Sequence, residues 1–209
     1  MTRLSHFTGR GFTAAAAVFA LLFISGCGEQ ATQGKAPSYL QVSLMQAASG
    51  AKPQTYSTLL ESDVVTNVKV GSLLVPTIYE DLGQVALRIA MKDQTLLVAP
   101  SDTNLITVNR YHVDFVRSDG RNTQGVDVPY AFDGAVTGTV GAVDTSLSFV
   151  LVRAQAKLEA PLMALRNAGG AMVISTIARV TFYGQDQAGN AVSVTANISV
   201  NFADWGDPS

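Results

Sequence analysis

The chain has 209 residues, 47% of them hydrophobic and 14% charged, and a formal net charge of −2 at pH 7. That balance provides no surplus of cations to hold a nucleic acid, or an anionic lipid surface, by charge alone. Its single cysteine excludes an internal disulfide, so the stability of any folded domain must come from core burial.

Residues 1–26 read as an export signal. Arg3 and Arg10 form a short basic start, and the apolar stretch from Phe12 to Ile24 falls short of the roughly 20 residues that a helix needs to span a bilayer. The stretch ends in Ile24-Ser25-Gly26-Cys27. This tetrapeptide, in its order after charge and apolar run, resembles the lipobox of bacterial lipoproteins, where an aliphatic residue and two small ones precede the cysteine. The resemblance covers the first 27 residues. It implies diacylglyceryl transfer to the Cys27 sulfur, cleavage before Cys27, and acylation of the new α-amino group, with the membrane as a partner through that anchor. The alternatives are an unlipidated signal peptide with an incidental cysteine, or a buried free thiol.

The family resemblance further implies a place in the cell envelope. Gly28 stands where many Gram-negative lipoproteins carry the aspartate that retains them at the inner membrane, which points to the outer membrane, on its periplasmic or surface face. Residues 27–38 then comprise the lipidated cysteine and a flexible tether, "GEQATQGKAPS", small and polar throughout. Fully extended, it reaches at most about 40 Å. Removing Arg3 and Arg10 leaves 12 basic residues against 16 acidic ones.

From there the chain reads as one domain, residues 39–205, with a C-terminal tail at 206–209. Period-2 alternation predicts strands at 39–47 (Leu40, Val42, Leu44), 84–92 (Val85, Leu87, Ile89, Met91), 106–117 and 146–153 (Leu147, Phe149, Leu151). Within the third, Ile106 and Val108 share a parity that Tyr111, Val113 and Phe115 do not, so a bulge is expected near Asn109 or Arg110. Shorter pieces at 63–70, 126–130 and 135–140 are expected at edges. Two similar runs, "GSLLVP" at 71–76 and "QTLLVAP" at 94–100, are expected to tuck into the core before a proline-terminated edge; the alternative is an apolar binding surface at one end of the fold.

In "KLEAPLMALRNAGG", Pro161 suits the first turn of a helix, Leu162, Met163 and Leu165 offer an apolar face, and Gly169 or Gly170 closes it. The following strand, 172–183, carries apolar residues on both parities and is expected to be buried on much of both faces. The last, 192–202, alternates regularly: Val192, Val194, Ala196, Ile198, Val200 and Phe202 inward, Ser193, Thr195, Asn197, Ser199 and Asn201 outward. Asp186, Gly189 and Asn190 supply the turn between the two. The pattern predicts an all-β antiparallel β-sandwich with one short crossover helix. A helix between the strands at 146–153 and 172–183 resembles the crossover between the fifth and sixth strands of many immunoglobulin-like domains, although no cysteine pair is present and Trp205 lies beyond the last strand.

Candidate chemistry is sparse. With His6 in the signal, His112 is the remaining imidazole, and it alternates with apolar Tyr111 and Val113 as a surface strand residue does. Ser118 and Asp119 lie near it in sequence, yet no G-x-S-x-G elbow presents a nucleophile. One histidine and one lipidated cysteine cannot supply the usual zinc ligands, and no glycine-rich phosphate cradle occurs. Asp119, Asn122, Asp127 and Asp133 fall in one loop-rich region but match no EF-hand spacing. The sequence therefore predicts no catalytic residue, no metal site and no cofactor; Cys27 is its one assigned site. The expected role is a non-catalytic, membrane-anchored envelope lipoprotein of structural or assembly function. The alternatives are a surface module binding a glycan or an envelope protein, for which Tyr111, Tyr130 and Tyr183 would matter if they clustered outside, and a hydrolase using carboxylates alone.

Overall fold

A computed structural model describes residues 34–93, 95 and 100–206. The export signal, Cys27 and the tether up to Gln33 lie outside the described residues, as does nearly all of the run at 94–100. The strands are β1 Ser38–Ala48, β2 Leu59–Asp63, β3 Thr66–Val70, β4 Leu73–Thr77, β5 Asp81–Met91, β6 Ile106–Val116, β7 Phe132–Val140, β8 Thr145–Val152, β9 Ile174–Asp186 and β10 Ala191–Ala203. A short helix, α1 Ala154–Leu158, lies between β8 and β9. The fold is all-β and sandwich-like with this one short helix. One sheet runs β1-β5-β8, the other β2-β10-β9-β6-β7, and β3-β4 form a separate two-stranded hairpin. All named pairs are antiparallel except β2 with β10, which is parallel.

Alternation produces this architecture because each sheet buries one face. Val85, Leu87 and Ile89 of β5 and Leu147, Phe149 and Leu151 of β8 face Val113, Phe115, Val180, Phe182, Ile198, Val200 and Phe202 of the opposite sheet in one continuous core. Tyr111, Phe149 and Phe182 pack as an aromatic cluster, with Phe149 centred 5.0 Å from Tyr111 and 5.2 Å from Phe182. Each fully buried side chain such as Phe115 or Phe182 contributes roughly 1.5–3 kcal/mol relative to exposure.

The expected bulge is present: the register of β6 shifts between Val108 and Arg110 against both β7 and β9. A second bulge, unsuspected, lies between Val42 and Leu44 of β1 and turns Leu44 outward while Met45 enters the core. The strand at 172–183 is corrected as well. It begins at Ile174, and its second parity is open to solvent, with Val173 and Ile177 exposed, because a two-layer sandwich covers only one face of each sheet. The edge piece at 63–70 divides between β2 and β3, and that at 126–130 is a loop held by one bridge, Gln124 to Val128.

The helix also differs from expectation. It ends at Leu158, ahead of Pro161, and a 3-10 turn, Leu162–Leu165, follows. Proline disfavours a helical residue before it and donates no N–H, which explains the break. Leu162 and Leu165 are buried and Met163 is exposed, so the expected apolar face divides. Beside α1 lies a buried polar node: the Asp81 carboxylate, fully enclosed, accepts hydrogen bonds from Ser62 Oγ at 2.6 Å and from the Gly50 N–H at 2.9 Å, and faces the equally buried Lys157.

Candidate binding surfaces

The outer face of the five-stranded sheet carries three of the residues singled out for chemistry, His112, Asp133 and Tyr183. Because β9 lies between β6 and β10, three rows cross the sheet: Arg110, Tyr183 and Ser193; His112, Thr181 and Thr195; and Asp114, Arg179 and Asn197. His112 Nδ1 lies 3.2 Å from Asp133 Oδ1, Arg110 Nη1 lies 4.0 Å from the same oxygen, and Arg179 pairs with Asp114. Thr181 and Thr195 share a hydroxyl hydrogen bond of 2.9 Å. His112 is therefore a surface strand residue engaged across the sheet. Such exposed pairs typically contribute 0.2–1 kcal/mol each, roughly the scale of ordinary cross-strand contacts.

The four oxygen-bearing residues of the loop do not converge. Asp119 is clasped by Arg117 at 2.7 Å and Arg121 at 2.9 Å, and these donors, Arg117 foremost, hold its carboxyl well below the usual carboxylate range. Asn122 Oδ1 accepts the Arg117 N–H, Asp127 accepts the Thr123 N–H, and Asp133 belongs to His112. Among the described residues no group of three or more His, Cys, Asp or Glu is placed to hold a metal ion. The loop is instead bonded to itself: Gly125, at φ +75°, sits under Tyr130, whose hydroxyl a Cβ there would meet at 2.3 Å and whose ring carbon Cζ it would meet at 2.4 Å.

The three tyrosines also separate. Tyr111 is buried in the core, where burial above all raises its phenol pKa, while Tyr130 is half exposed on the loop. Tyr183 lies on the outer face with the Arg110 guanidinium 4.1 Å from its ring centroid. This pair forms part of a groove of about 900 Å³ whose lining includes Tyr39, Lys92, Asn109, Gln185 and Ser193. Gly34 and Ala36 also line it, so the groove borders the segment that leads into β1. Lys92 Nζ donates to the Gly34 carbonyl at 2.7 Å, fixing that border. The lining offers amides, hydroxyls, aromatic rings and two cations, and none of its described residues is a carboxylate. Sequence alternation places Arg110 and Tyr183 outward, but only the register shift at Val108/Arg110 puts them side by side.

At the opposite end of the sandwich, the "GSLLVP" run does not enter the core. Leu73, Leu74 and Val75 are exposed on the β3-β4 hairpin, as is Val70 across from Leu73, which corrects the expectation of burial. Among the described residues, no helix is long and apolar enough to cross a membrane. Comparison with protein-family models, with curated proteins and with solved structures finds no match to this chain.

Proposed function

We propose that the chain is an envelope lipoprotein, anchored by acyl chains on Cys27, whose sandwich domain is non-catalytic and holds an envelope glycan close to the membrane. The observation that carries this reading is the groove bordering the segment that leads into β1, with Arg110 stacked on Tyr183 beside Lys92, Asn109 and Ser193. Sugars are bound by aromatic faces flanked by amide and hydroxyl partners, and the two cations without a lining carboxylate favour an acidic glycan. The strand order supports an immunoglobulin-like assignment of the domain: three strands face five, and a short helix precedes β9. His112, bonded to Asp133 on an open sheet face, serves pairing and not proton transfer.

Two measurements test the proposal. Cys27→Ser should abolish fatty-acid labelling and release the chain from membranes while leaving the domain folded; normal labelling of that variant ends the lipoprotein reading. Purified envelope glycan fragments should bind the protein, and Arg110→Ala with Tyr183→Ala should weaken that binding at least tenfold. Equal binding by the double variant removes the groove from the function.

A further inference from the structure

β3 and β4 form a hairpin that joins neither layer of the sandwich. Its register places Val68, Val70, Leu73 and Val75 on one face and sets Lys69 opposite Leu74 on the other. The turn is Gly71-Ser72, with Gly71 at φ +64° as a two-residue hairpin turn demands. At the tip, Val70 is 60% exposed, Leu73 69%, Leu74 66% and Val75 41%. An isolated hairpin is at best marginal in water, and this one presents contiguous apolar side chains at its extremity.

Three features identify what would cover it. First, the tip is apolar on both faces, since Leu74 points opposite to Val70 and Leu73. A protein partner would cover one face, whereas hydrocarbon surrounds both. Second, from Thr66 to Tyr79 the chain carries no carboxylate and a single charge, Lys69, although the protein as a whole is acidic. Third, Lys52, Tyr79 and Trp205 line a cavity of about 360 Å³ at the hairpin base. Tyr, Trp and the apolar stems of Lys are the side chains that settle at the headgroup level of a bilayer. A second copy of the chain is the weaker occupant, because a stable dimer engages roughly 20–30 residues a side and the tip offers four.

We propose that the β3-β4 tip inserts into a lipid bilayer, with Val70, Leu73 and Leu74 among the upper acyl chains and Tyr79, Trp205 and Lys52 at the headgroups. The insertion is shallow, about 5–10 Å, as for interfacial helices, because the outward backbone groups of an open hairpin cannot be left unpaired deeper in hydrocarbon. It is driven by apolar burial and needs no anionic lipid. The groove lies at the other end of β5, whose ten steps from Asp81 to Met91 span roughly 33 Å at the rise of an extended strand. In a chain anchored through Cys27, the hairpin would be a second, separate membrane contact and would lay the domain along the bilayer. The proposal does not depend on that anchor.

The test uses the full chain with Cys27→Ser and a single new cysteine, Leu74→Cys, carrying an environment-sensitive fluorophore. With neutral phosphatidylcholine vesicles, the emission should shift to the blue and be quenched several-fold by lipids bearing a nitroxide near the headgroup, equally at low and high salt. The same label at Asn197→Cys, on the outer sheet face, should show neither effect. Moving the label to Val70→Cys and adding Leu73→Ser and Leu74→Ser should remove the quenching while circular dichroism stays unchanged. An unshifted Leu74 label overturns the proposal. So does a shift that grows with protein concentration without vesicles, which would indicate a second copy, or one that requires anionic lipid and disappears in salt.

Discussion

The Nζ of Lys157 lies 2.9 Å from both carboxylate oxygens of Asp81, and neither side chain is more than 1% exposed. The pair fastens α1 to the first residue of β5 inside the protein, where each charge depends on the other. Removing one partner from such a pair typically costs 3–5 kcal/mol, whereas replacing both by apolar groups is often neutral. Lys157→Met should therefore destabilise the domain by about that amount, and adding Asp81→Leu should recover much of the loss in urea unfolding. If the double variant is no more stable than the single one, Ser62 and Gly50, and not Lys157, are the partners on which Asp81 chiefly depends.

Gly83 is held by a ring. A Cβ at this position would lie 2.4 Å from Cζ of Phe149, its partner across β5 and β8. Gly83→Ala should cost roughly 1–3 kcal/mol through overpacking, seen as a lowered unfolding midpoint. Gly206→Ala, with nothing near its would-be Cβ, should stay within about 0.5 kcal/mol of the parent.

The β9-β10 turn makes a pH prediction. Burial by itself would raise the Asp186 carboxyl, but hydrogen bonds from the Asn190 side chain, the Asn190 N–H and the Ala188 N–H outweigh it and lower the pKa. A carboxyl lowered by folding stabilises the protein fully above the unfolded aspartate value of about 3.9 and loses that contribution as pH falls through the folded value. Asp186→Ala should accordingly be less stable than the parent near neutrality, and the gap should narrow in acid. A gap that widens in acid would contradict the assigned direction.

The last strand distinguishes its faces by mutation. Ile198 is 3% exposed in the core, so Ile198→Asp would bury an unpaired charge. The penalty of several kcal/mol would consume much of a typical stability of 5–15 kcal/mol, and the domain should fail to fold. Thr195 and Asn197 point outward from the same strand. Changing both to Lys should cost about 1 kcal/mol or less, chiefly from the neighbouring Arg179 and the lost Thr181 contact.

Regular alternation made the core strands legible: Val85 to Ile89, Leu147 to Leu151 and Ala196 to Phe202 all bury the parity expected of them. A parity break in 106–117 even revealed a bulge, because apolar residues on both sides of it declared which way they faced. The bulge in β1 was hidden, since Val42, Leu44 and Met45 are all apolar and either register satisfies the pattern. Val173 and Ile177 misled for the opposite reason, being apolar on a face that solvent reaches. The Asp81–Lys157 pair joins residues 76 positions apart, and no local periodicity encodes such a contact. The exposed Leu73-Leu74 tip looked like core because hydrophobicity reports a preference for leaving water, not the company a side chain keeps.

The parallel pairing of β2 with β10 has a consequence in time. The N–H of Trp205 donates to Asp63, 142 positions earlier, and Ala203 lies beside the same residue. A chain synthesised at about 5–20 residues per second needs roughly 7–28 s to supply that partner after Asp63 has been made. Throughout that interval β2 has no neighbour to complete its ladder. The ladder of β2 is therefore closed late, by the last strand of the domain.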